Sequence, residues 1–349
     1  MTLNTPLSIE SFTSANPSQS IVVNKVQLLV CQFHYEHGPE LVYPKDFDQA
    51  EFITGLFPAK WADGKCMICK IGKYYVISIG ILCQNIQTPR GNLQLSVGIA
   101  STKAIFTRQQ HEFLISVQNK ISVAKSVDYN EINEDAKRFN AISDGPVTIS
   151  DPHGFFSNQS VVCRTFMRSP ENLLDLWKAR LCRIKISISN TSDIYISSYL
   201  SYFIVSSTLS HRPTEECAFH VELSQMQELT DVSLRVFAIT HPVLISNDHS
   251  PVILKSNNEL HIDDDYKWIR KGTGRILNQL KEALATNNDL NVMNVLYNSS
   301  YILSTWIHKS SIPKSDLSSA NLNSSCVPFI KHFLIAEDSP AEISDSGCC

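Results

Sequence analysis

The sequence has no block of like charge. Its 34 acidic and 30 basic residues are interspersed over 349 positions with a formal charge of -4. Nothing forms the basic stripe that neutralises nucleic-acid phosphates, so no nucleic-acid partner is expected. No stretch is apolar for long enough to span a bilayer. The most apolar candidate, residues 194–207, is interrupted by serines and reads as a buried helix. No basic start leads into an apolar h-region, because "MTLNTPLSIESFTSANPSQS" is polar, and no signal peptide is expected. The G-x-x-x-x-G-K-S/T spacing, the G-x-S-x-G elbow, H-E-x-x-H, the protein-kinase set and any repeat of fixed period are all missing. The reading is a soluble protein with no cofactor and no side-chain chemistry.

What the chain does have is apolar content, 43% of residues, enough for one large core or two modest ones. Its 10 cysteines sit mostly in strand-like runs such as "LLVCQF" and "GILCQN", as small buried hydrophobes do in a reducing compartment. A cytoplasmic location follows. The N-x-S patterns at Asn158, Asn190, Asn298 and Asn323 are then chance sequons.

Residues 1–20 read as a disordered tail and 21–142 as a first module. In that module "VQLLVCQF" is a strand buried on both faces, Gly38-Pro39 a turn and "ELVYP" a returning strand. A helix carrying Phe47, Ala50, Ile53, Leu56 and Phe57 follows, then the strands "KCMICKI", "YYVISIGIL" and "LQLSVGIAS". Thr107 is placed to cap a helix with the stripe Phe113, Leu114, Val117, Ile121 and Ala124, and a second helix carries Tyr129, Ile132, Ala136 and Phe139. Residues 143–168, with Gly145, Pro146, Pro152 and Gly154 amid serines, read as a linker.

A second α/β module is expected over 169–309. Ser169 and Pro170 open a helix with Leu173, Leu174, Trp177 and Leu181 on one face, and a strand with Ile184, Ile186 and Ile188 follows. "AFHVEL", "LRVFAIT" and "VILKS" read as strands, "DDDYKWIRKGTGRILNQLKEALA" as one helix, and Asp289 as the cap of another. Residues 310–349 read as a flexible tail with one short docking segment, 327–335.

Four places invite chemistry. His34, Glu36 and His37 stand close in sequence, but they straddle a strand end and a turn, where side chains point apart, and no further ligand cluster completes a metal site. Cys66 and Cys69 form a CxxC that lies within a strand rather than at a helix N-terminus, so buried structural thiols are expected. "KGTGR", residues 271–275, lacks the phosphate-loop spacing, and its glycines are read as weakening or bending a surface helix. The terminal Cys348 and Cys349 have the form that geranylgeranylated Rab GTPases carry, yet they make no C-a-a-X box; palmitoylation or no modification is the favoured reading.

"FHYEHGPELVYP", with Gly38, Pro39, Tyr43 and Pro44, resembles the first hairpin of the longin-type module that opens DENN-domain proteins. "PRGNLQLSVGIAST" resembles the Arg-Gly and Ser-Val-Gly-Ile strand of the LCHN-type and Avl-type members, here Arg90, Gly91, Ser96, Val97, Gly98, Ile99 and Ser101. "LLDLWKARLCRIKISIS", with Trp177, Lys178 and Arg183, looks like the helix and strand that open the central DENN module. The similarity covers roughly residues 24–310, and the element order read above is also the longin order.

The resemblance implies an α/β fold, with a longin-like module holding an antiparallel or mixed five-stranded sheet, then a central DENN module and C-terminal helices. It implies a regulator, expected to be a guanine-nucleotide exchange factor, of a Rab-family small GTPase in intracellular membrane traffic. Peripheral attachment to endomembranes and a second longin-DENN protein as heterodimer partner fit the same picture. No catalytic residue transfers, and the matched residues each have a structural role as turn, loop corner, close strand packing or buried helix face. The alternative is a non-catalytic scaffold subunit of a GTPase-signalling complex, folliculin-like or nitrogen-permease-regulator-like. A hydrolase or transferase survives only if the His34–His37 turn or a pair such as Ser210 and His211 converges in a pocket.

Overall fold

Strand and helix alternate in two different ways in the computed structural model, which describes residues 21–24, 26–44, 49–58, 60–89, 91–132, 134, 146–149, 153–189, 193–208, 217–221 and 234–344. The first part runs β1 (Ile21–Asn24), β2 (Val26–His34), β3 (Gly38–Tyr43), α1 (Gln49–Leu56), β4 (Cys66–Ile71), β5 (Tyr74–Thr88), β6 (Gly91–Ser101), α2 (Arg108–Ser122) and β7 (Pro146–Ile149). Five of these strands form an antiparallel sheet in the order β3-β2-β6-β5-β4. Along β2 the buried side chains alternate between two clusters: Leu28 and Val30 face the main core, whereas Leu29 and Cys31 face α1. That is why the strand reads as continuously apolar.

Two residues hold α1 on its face. Ser96, buried in β6, donates from Oγ to the carbonyl of Leu56 at 2.7 Å. At Gly98 a Cβ would meet Leu56 Cδ2 at 2.8 Å, so a larger residue would require the Leu56 side chain to shift. On the other face Thr107 caps α2 through a capping box with Gln110, and Phe113, Leu114, Val117 and Ile121 are buried beneath it.

The second part runs a 3-10 turn (Gly154–Phe156), α3 (Val161–Phe166), α4 (Pro170–Leu181), β8 (Ile186–Ser189), α5 (Ile194–Ser206), β9 (Cys217–Val221), β10 (Val236–Ile239), α6 (Pro242–Ser246), β11 (Val252–Lys255) and β12 (Leu260–Ile262). It closes with a 3-10 helix (Asp264–Arg270), α7 (Gly274–Ala285), α8 (Asp289–Trp306), β13 (Ser311–Pro313), two further 3-10 turns, α9 (Val327–Ala336) and β14 (Glu342–Ser344). Its sheet has the order β12-β11-β8-β10-β9, parallel except for β12. Asp193 caps α5, a helix apolar enough to be buried nearly all round. It lies against β4 of the first sheet and against β9 and β10 of the second, so one apolar cluster runs through both sheets. Tyr75 of β5 meets Phe219 of β9 at 5.7 Å between ring centroids.

The structure corrects several expectations. Within the supposed linker, residues 146–149 pair with β1, and Phe155, Phe156, Val162, Cys163 and Phe166 belong to the core. The turn residues there mark corners of packed structure rather than a spacer. The supposed tail is folded through Ser344, where β13 pairs with β14, while the segment read as a docking piece packs as α9, with Phe329, Ile330 and Phe333 buried in the protein's own core. The single helix read over "DDDYKWIRKGTGRILNQLKEALA" is two, separated at Gly272 and Gly274, where the backbone runs at φ +72° and +55° against residues 321–326. The cap of α8 is Asn288, whose side chain accepts from the Leu290 N–H, while Asp289 turns elsewhere. Finally, α4 is not one-sided, since Asp175, Lys178 and Arg180 are as buried as its leucines.

Residues 1–20, Phe47, Arg90, Ala136, Phe139, Ser210, His211, Cys348 and Cys349 lie outside the described residues. No described helix is long and apolar enough to cross a membrane.

Candidate functional site

Where the two sheets meet, a cleft of about 870 Å³ opens between the loop leading into β4, α2, α3, the start of α5 and the end of β11. β8 and β11 are parallel neighbours, with Ile188 opposite Leu254, so their carboxyl ends open together on its floor. This crevice beyond the strand ends is where open α/β sheets bind ligands.

Hydrogen bonds between distant segments fix the walls. The Tyr195 hydroxyl accepts from the Ala62 N–H at 2.7 Å and donates to the Lys60 carbonyl at 3.2 Å, tying α5 to the approach of β4. Tyr199, one turn on, donates to Asp289 Oδ2 at 3.0 Å. That carboxylate also accepts from the N–H groups of Val162 and Cys163 at 3.1 and 2.9 Å, which satisfies two orphan donors at the start of α3. Asn258 donates to the Thr165 carbonyl at 2.9 Å and its own carbonyl accepts from Asn172 at 2.8 Å, joining the β11–β12 turn to α3 and α4.

Burial favours the neutral forms of Cys66, His111, Tyr195 and Tyr199 in the cleft. It pushes the Cys66 thiol up to about 12 and the Tyr195 phenol up to about 12. Tyr199 is raised well above the usual phenol range by burial first and then by the charge of Asp289. His111 is lowered by burial, against the opposing pull of Glu112, and stands edge-on to Phe155 at 5.4 Å. The arrangement is equipped to bind through shape, cations and neutral donors, with its thiol and phenols held protonated.

Of the described residues singled out from sequence, Cys66 lines the cleft and the others lie elsewhere. Gly38 and Pro39 open β3 at the hairpin, Tyr43 and Pro44 end it, and Gly91 opens β6, where Thr88 Oγ1 donates to its carbonyl at 2.7 Å. Trp177 is fully buried and donates from Nε1 to Ser300 Oγ at 2.8 Å. Cys66 and Cys69 are in no disulfide and lie on opposite sides of β4, Cys69 in the cluster under α1, where its thiol donates to the Gly55 carbonyl at 3.7 Å, and Cys66 against the main core.

The donor atoms of His34, Glu36 and His37 do gather within 4.8 Å of one another on an exposed turn. The two imidazoles are stacked nearly parallel, 9° apart, and His34 Nδ1 accepts from the Glu36 N–H at 3.2 Å.

The residues that sequence reasoning missed are Lys65, His111, Arg164 and Lys255. They come from four separate segments, and Arg164 lies in the stretch read as a linker, so no local pattern could gather them. No protein-family model and no curated protein matches this chain.

Proposed function

We propose that the chain is a guanine-nucleotide exchange factor for a Rab-family small GTPase in intracellular membrane traffic, working by differential binding. The observation that carries this reading is the element order from β2 to α2, strand, strand, helix, three strands, helix, with the five strands in one antiparallel sheet and β1 paired with β7 apart from it. That is the order of the longin module, and a second α/β layer opening with the Trp177 helix follows it here. A factor of this kind holds the nucleotide-free GTPase more tightly than the loaded one, and needs neither a general base nor a cofactor. The junction of the two layers, with exposed Lys65 and Arg164 at the cleft, is the surface on which the GTPase switch segments are proposed to sit.

The test is release of a fluorescent guanine nucleotide from a panel of Rab GTPases, with a pull-down against nucleotide-free and GTP-loaded forms. Accelerated release together with preference for the empty form supports exchange. A second reading is a non-catalytic scaffold subunit partnered by another longin-DENN chain. Capture of both GTPase forms without release would support that reading instead.

A further inference from the structure

Four side chains that line the cleft carry hydrogen-bonding capacity the fold does not use. Among the described residues, Lys65 Nζ, the His111 ring nitrogens and the Gln159 side-chain amide make no hydrogen bond or ion pair. Arg164 spends only Nε, on the Ser160 carbonyl at 3.2 Å, which leaves its terminal nitrogens available. The one carboxylate of the lining is committed, because Asp193 Oδ1 accepts from the N–H groups of Tyr195 and Ile196 at 2.9 and 3.0 Å. A third cation, Lys255, sits 3.8 Å from Glu259 in an exposed pair that contributes little. The unspent groups are thus cations and neutral donors, which together suit an anion.

Apart from the Cys66 thiol and the exposed Ser256 hydroxyl, the rest of the lining is apolar or already bonded. The hydroxyls of Tyr195 and Tyr199 are used within the fold, so only their rings, with Leu254 and Ile188, face a ligand. At about 870 Å³ the space is far larger than a bare oxyanion and falls within the range of roughly 300–1,000 Å³ typical of pockets for organic ligands.

We propose that this cleft binds a soluble organic phosphate of mononucleotide size. Arg164 and Lys65 take the phosphate, Arg164 through a two-pronged contact and Lys65 as a point charge. His111 and Gln159 supply further donors, and the Tyr195 and Tyr199 rings with Leu254 cover the flat body. The proposal shares Lys65 and Arg164 with the surface assigned above to the GTPase, but its test needs no GTPase.

The test uses the purified full-length chain alone, by titration calorimetry and thermal shift with AMP, GMP, adenosine, guanosine and inorganic phosphate. A nucleoside monophosphate is expected to bind and raise the melting temperature, with its nucleoside and inorganic phosphate at least about 10-fold weaker. Arg164→Gln and Lys65→Gln, both exposed side chains, are each expected to weaken binding about 10-fold while leaving the ligand-free melting temperature unchanged. Lys125→Gln, outside the cleft, should leave affinity as it is. Equal affinity for nucleoside and nucleotide, wild-type affinity in Arg164→Gln, or no saturation by either nucleotide below about 1 mM overturns the proposal. Capture on phosphoinositide vesicles without binding of either soluble nucleotide also overturns it. Because no GTPase is present, failure of Rab release and failure of this binding are read separately.

Discussion

The phenol of Tyr199 donates a 3.0 Å hydrogen bond to Oδ2 of Asp289, joining the helix at the junction of the two sheets to the first residue of α8. The same fully buried carboxylate caps the first turn of α3, so one side chain holds three helices around the cleft. Asp289→Ala leaves two backbone donors and a phenol unsatisfied in the core, and is expected to destabilise the chain by about 3 kcal/mol. Asp289→Asn, which keeps an acceptor, should cost less, and Tyr199→Phe about 1 kcal/mol. Urea denaturation of the three variants checks the ranking.

Asp175 and Lys178 form a buried pair on α4, 3.8 Å apart, whose ammonium also donates to the carbonyls of Ile269, Lys271 and Gly272 at 2.9, 3.3 and 2.6 Å. Burial raises the Asp175 carboxyl from 3.8 to about 7, with Lys178 opposing. The folded chain therefore keeps a proton that the unfolded chain releases. The resulting stability is complete below the unfolded value and is lost as pH rises through the folded one. Relative to Asp175→Asn, the wild type is expected to lose stability between about pH 4 and about pH 7. Denaturation midpoints of both proteins across that interval measure it, and a gap that does not change with pH would count against the buried carboxyl.

At Gly272 an added Cβ would meet the Ser325 carbonyl oxygen at 2.4 Å, on a backbone with φ +72°. Gly272→Ala combines a left-handed conformation with a backbone clash, and is expected to cost about 2 kcal/mol or more in chemical denaturation. Gly38→Ala has the positive φ but open space around it, so its cost should be nearer to about 1 kcal/mol.

The thiols give a chemical readout. Burial pushes Cys31, Cys66 and Cys163 up to about 12 and Cys83 up to about 11. Pulsed alkylation near neutral pH, read by mass spectrometry, should leave these four unmodified in the native chain and modify them in urea. Cys66 and Cys69 should form no disulfide in the native chain. Three strand steps of about 3.3 Å separate their Cα atoms by about 10 Å, past the roughly 7 Å a disulfide spans.

Much of the local structure was legible. Thr107 signals a helix start as a residue that satisfies an orphan donor, and the apolar run of β2 signals a strand covered on both sides. The corners were misread where turn residues carry core residues with them. Gly154 reads as a linker, yet Phe155 and Phe156 beside it are 2% and 0% exposed, because the chain turns there in order to enter the core. Asp289 was misplaced for a related reason, since both Asn288 and Asp289 suit a cap and only the position of α3 decides which is used.

The periodicity of apolar residues and the capping side chains act over a few positions, so the sequence by itself determined the strand and helix order of the first sheet, from β2 to α2. Which of Lys65, His111, Gln159 and Arg164 stand around one cleft was decided only by the way α5 packs between the two sheets. Contacts between segments so far apart in the chain leave no local mark, because packing joins whichever surfaces fit, whatever their separation in sequence.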